Sequence, residues 1–292
     1  VFATCADVRE LTEDDRRARD GLVARGFRVD TAVWDDDDVP WAVYAAVVVR
    51  SCWDYHRKVD RFRDWLNTLD ALEVPLYNDS ALVRWNMDKR YLRSLAERGA
   101  AVVPTRFVEK SERADLGALL RGQGWPEAVV KPSISASAYD TWIASAESAE
   151  DSQLRLEEML GRGGVLVQEF VPEIRTDGEW SLVFFGGTFS HAMRKRPRAG
   201  DFRVQEEYGG QVVAARPAPS LIEDAAAILH VLERECVYAR VDGVAREGRL
   251  LLMELELIEP YLYFAAATDA PSRFADEVVR RLEKTRSAGS TS

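Results

Sequence analysis

The stretch at residues 250–260, LLLMELELIEP, constrains the fold more tightly than any other part of the chain. Successive side chains of a strand point to opposite sides, so Glu254 and Glu256 share one face while Leu255 and Leu257 pack the other way. The two carboxylates then lie roughly 6–7 Å apart at the Cβ level. On an otherwise apolar strand they lose hydration and repel each other. A divalent cation between them removes both penalties. Residues 238–244 and 249–257 flank a Glu247-Gly248 turn and read as a hairpin, which brings Asp242 to the same region as a third oxygen donor. An all-oxygen set suits Mg²⁺, which commonly bridges a few carboxylates to substrate phosphates. An edge strand with one wet face fits the same residues without a metal.

Upstream the texture differs. Residues 2–5 read as a short apolar strand, and Thr12 with Asp15 as the N-cap and N3 of a helix running to Arg25 and stopping at Gly26. Strands are predicted at 27–33 and 44–50, then a helix over 61–72 with Phe62, Trp65, Leu66 and Leu69 on one face. That order predicts a small, mostly parallel sheet flanked by helices. Ligands gather beyond the carboxyl ends of such strands, and Arg50, Ser51 and Trp53 sit there. Arg50 can hold a carboxylate through two parallel hydrogen bonds, Ser51 an amine or oxygen, and Trp53 can wall the pocket. Alternatively Arg50 pairs with Asp54 and Trp53 fills a domain interface.

Further on, a helical stretch runs from Ser80 to Gly99, an extended piece begins at Pro104, and helices cover 111–120 and 146–160 around a strand at 128–131. Another strand spans 164–170. Strands at 180–185 and 188–194 flank Gly186-Gly187, a hairpin signal. Ser220 and Glu223 read as a capping box for a helix through Leu232. The chain of 292 residues therefore divides as an N-terminal parallel part over 1–84, a central part over 85–168, an antiparallel-rich part over 169–286 and a frayed tail over 287–292.

With 49 acidic and 39 basic residues the net charge is −10, which argues against nucleic acid or an anionic membrane as main partner. Cys5, Cys52 and Cys236 show no CxxC spacing and suit a reducing compartment, with Cys52 a packed thiol. The longest apolar run, near 43–49, is far short of the ~20 residues that span a bilayer. The chain opens without the basic and apolar regions of a signal peptide, and a cytoplasmic protein is expected. The acidic run at 35–38 reads as a solvated loop. His56 reads either as an acid–base partner of Asp54 or as a structural histidine. Ser190 and His191, adjacent in a strand, should point to opposite faces rather than form a dyad. His191 and His230 read as structural or exposed.

The basic residues Lys89, Lys131, Arg194, Lys195, Arg196, Arg198 and Arg203 fall in the middle and C-terminal parts. Lys131 ends a buried strand directly before Pro132, an unusual place for a merely solvated lysine. Cations facing an acidic metal site fit a phosphate-bearing substrate. Both GxxxxGK[ST] and GxGxxG are absent, which disfavours a P-loop or dinucleotide fold.

Taken in order, Lys89, Lys131-Pro132, Gln168-Glu169-Phe170-Val171, Gly178-Glu179 and Asp242…Glu254-Leu255-Glu256…Pro260 resemble the motifs of ATP-grasp carboxylate–amine ligases, closest to the glutathione-synthetase-like branch. The segment from Gly200 through Asp201, Arg203 and Gln205 to Gly210 resembles the same branch. The WDYH, SHAMRKRPRAGDFRVQ and ELELIEP stretches resemble the group containing the cycloserine-forming cyclo-ligase, the D-cycloserine synthetase group. The resemblance implies an α/β (α+β) ATP-grasp architecture, with a small parallel N-terminal sheet domain and ATP held between two antiparallel-rich sheets. Lys89 and Lys131 would touch the phosphates and base of ATP, Glu169 with Val171 would form the hinge reading the adenine edge, Gln168 and Phe170 would also belong to the nucleotide site, and Glu179 would accept from the ribose. Asp242, Glu254 and Glu256 would hold one or two Mg²⁺. Lys195 and Arg203, with Arg194 in reserve, would neutralise the charge of phosphoryl transfer.

Two departures stand out: Glu256 replaces the family's usual Asn, and a Ser/Ala-rich loop (Ser133, Ser135, Ser137) follows Lys131 in place of glycines. The implied activity is ATP- and Mg-dependent activation of a small amino-acid-like carboxylate as an acyl phosphate for attack by nitrogen. In the narrower group this is cyclisation of O-ureido-serine to cycloserine. A peptide- or protein-tail ligase and a catalytically degenerate nucleotide-binding regulator are the alternatives. The oligomer, homodimer or homotetramer, is left open.

Overall fold

The computed structural model describes residues 1–198, 200–204 and 209–289, without the side chains of residues 286, 288 and 289. The N-terminal layer runs β1 (Phe2–Thr4), α1 (Glu13–Val23), β2 (Thr31–Val33), β3 (Val47–Val49), α2 (Val59–Ala71) and β4 (Leu76–Tyr77). Its strands are parallel in the order β2-β1-β3-β4. Thr12 caps α1, accepting from the Asp15 amide at 3.0 Å. The face of α2 carrying Phe62, Trp65, Leu66 and Leu69 is buried, with Phe62 and Trp65 packed around Trp34. Strand β2 is shorter than predicted. Residues 27–30 approach it as irregular chain, with the Phe2 amide donating to the Asp30 carbonyl at 2.9 Å.

Helices α3 (Ser80–Asn86) and α4 (Tyr91–Glu97) follow, then β5 (Thr105–Val108), α5 (Leu116–Gln123), β6 (Glu127–Pro132), β7 (Trp142–Ser145), α6 (Ala149–Arg162) and β8 (Val165–Glu169). The helix expected from Ser80 to Gly99 is thus broken, and Lys89 lies in the break. The helix expected from Ser111 starts instead at Leu116, where Asp115 accepts from the Ala118 amide at 2.7 Å. The four strands form an antiparallel sheet, β5-β8-β6-β7, backed by α5 and α6.

The last part contains α7 (Glu173–Thr176), β9 (Glu179–Phe185), β10 (Thr188–Arg196), β11 (Gln211–Ala214), α8 (Pro219–His230), β12 (Tyr238–Arg246), β13 (Arg249–Glu256) and α9 (Ala270–Gly289). Its five-stranded sheet is antiparallel in the order β11-β10-β9-β12-β13. The predicted capping box is not formed. Pro219 takes the first helical turn of α8, and the Ser220 hydroxyl donates to the Gly248 carbonyl at 2.9 Å. Helix α9 extends through Ser287, inside the stretch read as frayed, and residues 290–292 lie outside the described residues.

Helix α9 returns to the N-terminal layer. Gly21 of α1 permits the approach, since a Cβ there would lie 2.6 Å from the Pro271 carbonyl oxygen. Arg25 pairs with Asp276, and Phe274 packs edge-on against Phe2. The Tyr238 hydroxyl lies 2.8 Å from the carbonyls of both Val49 and Ile258, tying the parallel sheet to the C-terminal one. No helix among the described residues is long and apolar enough to cross a membrane.

Candidate active site

A cavity of about 460 Å³ opens between the two antiparallel sheets, with Trp53 and Tyr55 of the N-terminal layer at one end. Strand β13 forms one wall. It is the edge of its sheet, yet the edge is not bare. Asn86 donates to the Leu255 carbonyl at 2.8 Å and accepts from the Leu257 amide at 2.9 Å, and the Tyr91 hydroxyl accepts from the Leu255 amide. These side chains replace a neighbouring strand and hold the alternation that turns Glu254 and Glu256 into the cavity.

The register sets Asp242 opposite Glu254 and Arg240 opposite Glu256. Arg240, which the sequence reading missed, sits among the acids. Its guanidinium donates to Asp242 at 2.8–3.1 Å and also to Glu256. The signal was present, because Arg240 is two residues from Asp242 on a strand already predicted. Ser181 donates to Asp242 at 2.5 Å, and Lys195 Nζ lies 2.9 Å from Glu179 and 3.5 Å from Asp242. Burial opposes ionisation of Asp242, but Arg240 and Lys195 outweigh it and hold the carboxyl well below its usual range. Glu256 is pushed up to about 8 by burial, which the facing Arg240 only partly offsets.

Lys89 Nζ lies 3.2 Å from Glu254 and donates to the Ser135 carbonyl, while its amide donates to the Ser133 carbonyl at 2.7 Å. It therefore anchors the Ser/Ala-rich loop that follows β6. Within that loop Ser137, Ala138 and Asp140 all hold positive φ without being glycine. Burial lowers the Lys131 ammonium, which donates to Gln168 at 3.2 Å. Gln168, Glu169, Phe170 and Val171 line the same end of the cavity. Glu179 begins β9 just after Gly178, whose φ of +87° and missing Cβ let the chain pass the Lys195 carbonyl. Arg203 lines the cavity too, gripping Asp201 at 2.8 Å. Gln205 lies outside the described residues.

Three expected site residues are elsewhere. Arg194 alternates with Lys195 along β10 and faces away, over the Trp180 ring and paired with Asp177 at 2.8 Å. Arg50 and Ser51 are sealed behind the cavity wall by Asp15 of α1. Arg50 bonds Asp15 at 2.8 Å and the Pro260 carbonyl at 2.9 Å, and the Ser51 hydroxyl donates to the other Asp15 oxygen. Both partners of the Arg50–Asp15 pair are only 2% exposed, so neither reaches a ligand. Trp53 does line the cavity. Asp54 does not pair with Arg50 or His56; it accepts from Trp34 at 2.7 Å and Lys58 at 2.8 Å. His56 instead packs on Tyr139.

Ser190 and His191 do meet, at 2.9 Å, because a bulge between Phe189 and His191 breaks the alternation. His191 Nε2 donates to the Leu262 carbonyl at 2.8 Å, so the pair is structural and outside the cavity. Cys52 is buried, which pushes its thiol far up and leaves it inert.

Among the described residues no three or more His, Cys, Asp or Glu side chains are grouped so as to hold a metal ion by themselves. The donor set nonetheless fits Mg²⁺, which usually completes its shell with water and phosphate oxygens. Asp242 and Glu254 face each other across the hairpin with oxygen donors only. Glu256 is engaged by Arg240.

The N-terminal residues 1–78 match the family described as D-cycloserine synthetase DcsG, N-terminal domain. Over 276 residues the chain is 31% identical to the cycloserine biosynthesis protein DcsG of Streptomyces lavendulae, covering 88% of this chain and 90% of that protein. The chain belongs to the DcsG family. A crystal structure of D-cycloserine synthetase DcsG superposes with a TM-score of 0.87 at 28% identity, covering 96% of this chain and 98% of that one. The ATP complex of D-alanine–D-alanine ligase from Bacillus anthracis has the same fold, with a TM-score of 0.69 at 16% identity over 99% of this chain and 98% of that one. The expected ATP-grasp architecture is therefore present, and this DcsG-family chain is an ATP-dependent carbon–nitrogen ligase.

Nucleotide contact is testable at Lys131. Lys131→Met is expected to weaken ATP binding by about tenfold or more, and more at low salt than at high salt, as loss of an ammonium–phosphate contact requires. Calorimetry giving an unchanged affinity at both salt concentrations would return Lys131 to a purely structural role.

Proposed function

We propose that the chain closes the cycloserine ring, using ATP and Mg²⁺ to activate the carboxylate of O-ureido-serine for attack by its own ureido nitrogen. The observation that carries this reading is one cavity holding Lys89, Lys131, Lys195 and the facing acids Asp242 and Glu254 in a chain 31% identical to DcsG. A carboxylate is a poor electrophile. Transfer of the γ-phosphoryl group makes it an acyl phosphate and releases ADP. Attack by the oxygen-bound ureido nitrogen then expels phosphate and closes the ring, and water cleaves the carbamoyl group from that nitrogen, which leaves as carbon dioxide and ammonia. In such transfers the protein mainly positions groups and neutralises developing charge.

Lys89 and Lys131 serve the phosphates, residues 168–171 the adenine edge, and Glu179 the ribose once Lys195 turns toward the phosphates. Lys195 and Arg203 stabilise the transferring group. When bound by Asp242 and Glu254, Mg²⁺ supplies further neutralisation of the phosphate oxygens. Because the nucleophile is tethered to the acid, no second substrate is needed, and ring closure gains the effective concentration of an intramolecular step.

Mass spectrometry of the products tests this directly. The expected product equals one substrate minus the elements of carbamic acid, lost as carbon dioxide and ammonia, with one ADP and one phosphate formed per ring. A strict need for a separate amine would remove the cyclisation while leaving the ligase chemistry intact.

A further inference from the structure

The cavity has two chemically different ends. Lys131, Gln168 and the segment after β8 form one. The other is closed by Trp53 and Tyr55 and by the chain leaving β13, with Glu259, Tyr261 and Tyr263. Four lining acids are already matched to cations: Glu254 by Lys89, Glu179 by Lys195, and Asp242 and Glu256 by Arg240. Glu259 makes no ion pair among the described residues. Glu169 also makes none, but it belongs to the opposite end.

The backbone around Glu259 is fixed from the N-terminal layer. Trp53 Nε1 donates to the Glu259 carbonyl at 3.1 Å, and Arg50 donates to the next carbonyl, of Pro260, at 2.9 Å. The side chain is therefore presented to the cavity by a pinned main chain rather than by a free loop. The same cavity is lined by Trp53 and by the Tyr261–Tyr263 pair that follows Glu259 in the chain, whose rings meet edge to face at 4.9 Å. Aromatic faces attract cations. An unmatched carboxylate among aromatic rings, beside a cluster of other acids, is built for a positive charge. The nearby cation Lys89 is committed to Glu254 and the Ser135 carbonyl.

An α-amino acid brings such a charge one carbon away from the carboxyl that the ligase must activate. We infer that Glu259 is the specificity-determining residue that receives the substrate's α-ammonium, with Trp53, Tyr261 and Tyr263 as walls. The inference rests on the reading that an amino-acid carboxylate is the group activated. It also gives a reason for Glu259 to be an acid at the end farthest from the nucleotide.

The test uses ADP release from the full chain with O-ureido-serine and with its counterpart lacking the α-amine. Glu259→Gln, close to isosteric, is expected to raise KM for the amine-bearing acid about 10–100-fold while leaving that for ATP nearly unchanged. It should also erase most of the preference over the amine-free acid. Trp53→Phe keeps the wall but loses the hydrogen bond to the Glu259 carbonyl, and a rise of a few-fold is expected. Calorimetric ATP binding confirms that each variant is folded. Normal wild-type turnover with unchanged KM and unchanged discrimination in Glu259→Gln overturns the inference alone. A wild-type protein that binds ATP yet releases ADP with no amino acid overturns the underlying reading and the inference with it.

Discussion

Replacing Glu254 by Gln, or Asp242 by Asn, is expected to lower turnover at least ~10²-fold, because each removes charge that would hold Mg²⁺ at the transferring phosphoryl group. The two residues face each other across the hairpin, yet they are matched to different cations, Lys89 for Glu254 and Arg240 with Lys195 for Asp242. Loss of Glu254 also leaves Lys89 without its ion pair, whereas after loss of Asp242 Arg240 keeps Glu256 and Lys195 keeps Glu179. In both variants an oxygen ligand is gone, so raising Mg²⁺ should recover little. Glu256→Asn should be gentler, since Arg240 keeps Asp242 as its partner and Asn is the residue the wider family usually carries. Initial rates of ADP formation over a Mg²⁺ series provide the measurement. Near-normal activity of both Glu254→Gln and Asp242→Asn at low Mg²⁺ would sink the metal assignment.

A comparably large effect is expected at Arg50, on stability rather than on substrate binding. Arg50 and Asp15 form an ion pair buried on both sides, and removing one partner of such a pair commonly costs about 3–5 kcal/mol because the other charge is stranded. Arg50→Met should show this loss in urea denaturation. The double replacement Arg50→Met with Asp15→Leu should recover much of it, since two apolar groups leave no stranded charge. A wild-type denaturation midpoint for Arg50→Met, coupled with a raised KM for the acid, would return Arg50 to the substrate site.

The contrast between these residues separates what was legible in the sequence from what was not. Alternation along β12 and β13 identified Glu254, Glu256 and Asp242, because a period of two fixes which side chains share a face. The same period requires that Arg194 and Lys195 diverge, but only pairing with β9 decides which of them enters the cavity. Arg240 shares the face of Asp242 by the same alternation, but a cation among acids carries no metal-ligand signal, and its role emerges only from the register that sets it opposite Glu256. Arg50 and Ser51 were assigned by the rule that ligands gather at strand ends. That rule cannot anticipate a distant acid, Asp15, reaching the same place from α1. The Ser190–His191 contact depended on a bulge, which no pattern of residue types announces. Lys89 was visible as a cation, but its hold on the loop after β6 arises from a helix break that helical periodicity hides.

The return of α9 to the first layer bears on the order in which the chain can mature as it is made. Phe2 of β1 is covered by Phe274, and Arg25 of α1 binds Asp276 across 251 residues of sequence. A ribosome therefore releases the parallel layer long before the helix that covers one of its faces. Until then that face is an apolar surface without its partner, and contacts of such separation are slow to form. A truncation that ends before Ala270 should yield a nascent chain that engages chaperones or aggregates, even though every residue of the cavity has already been translated.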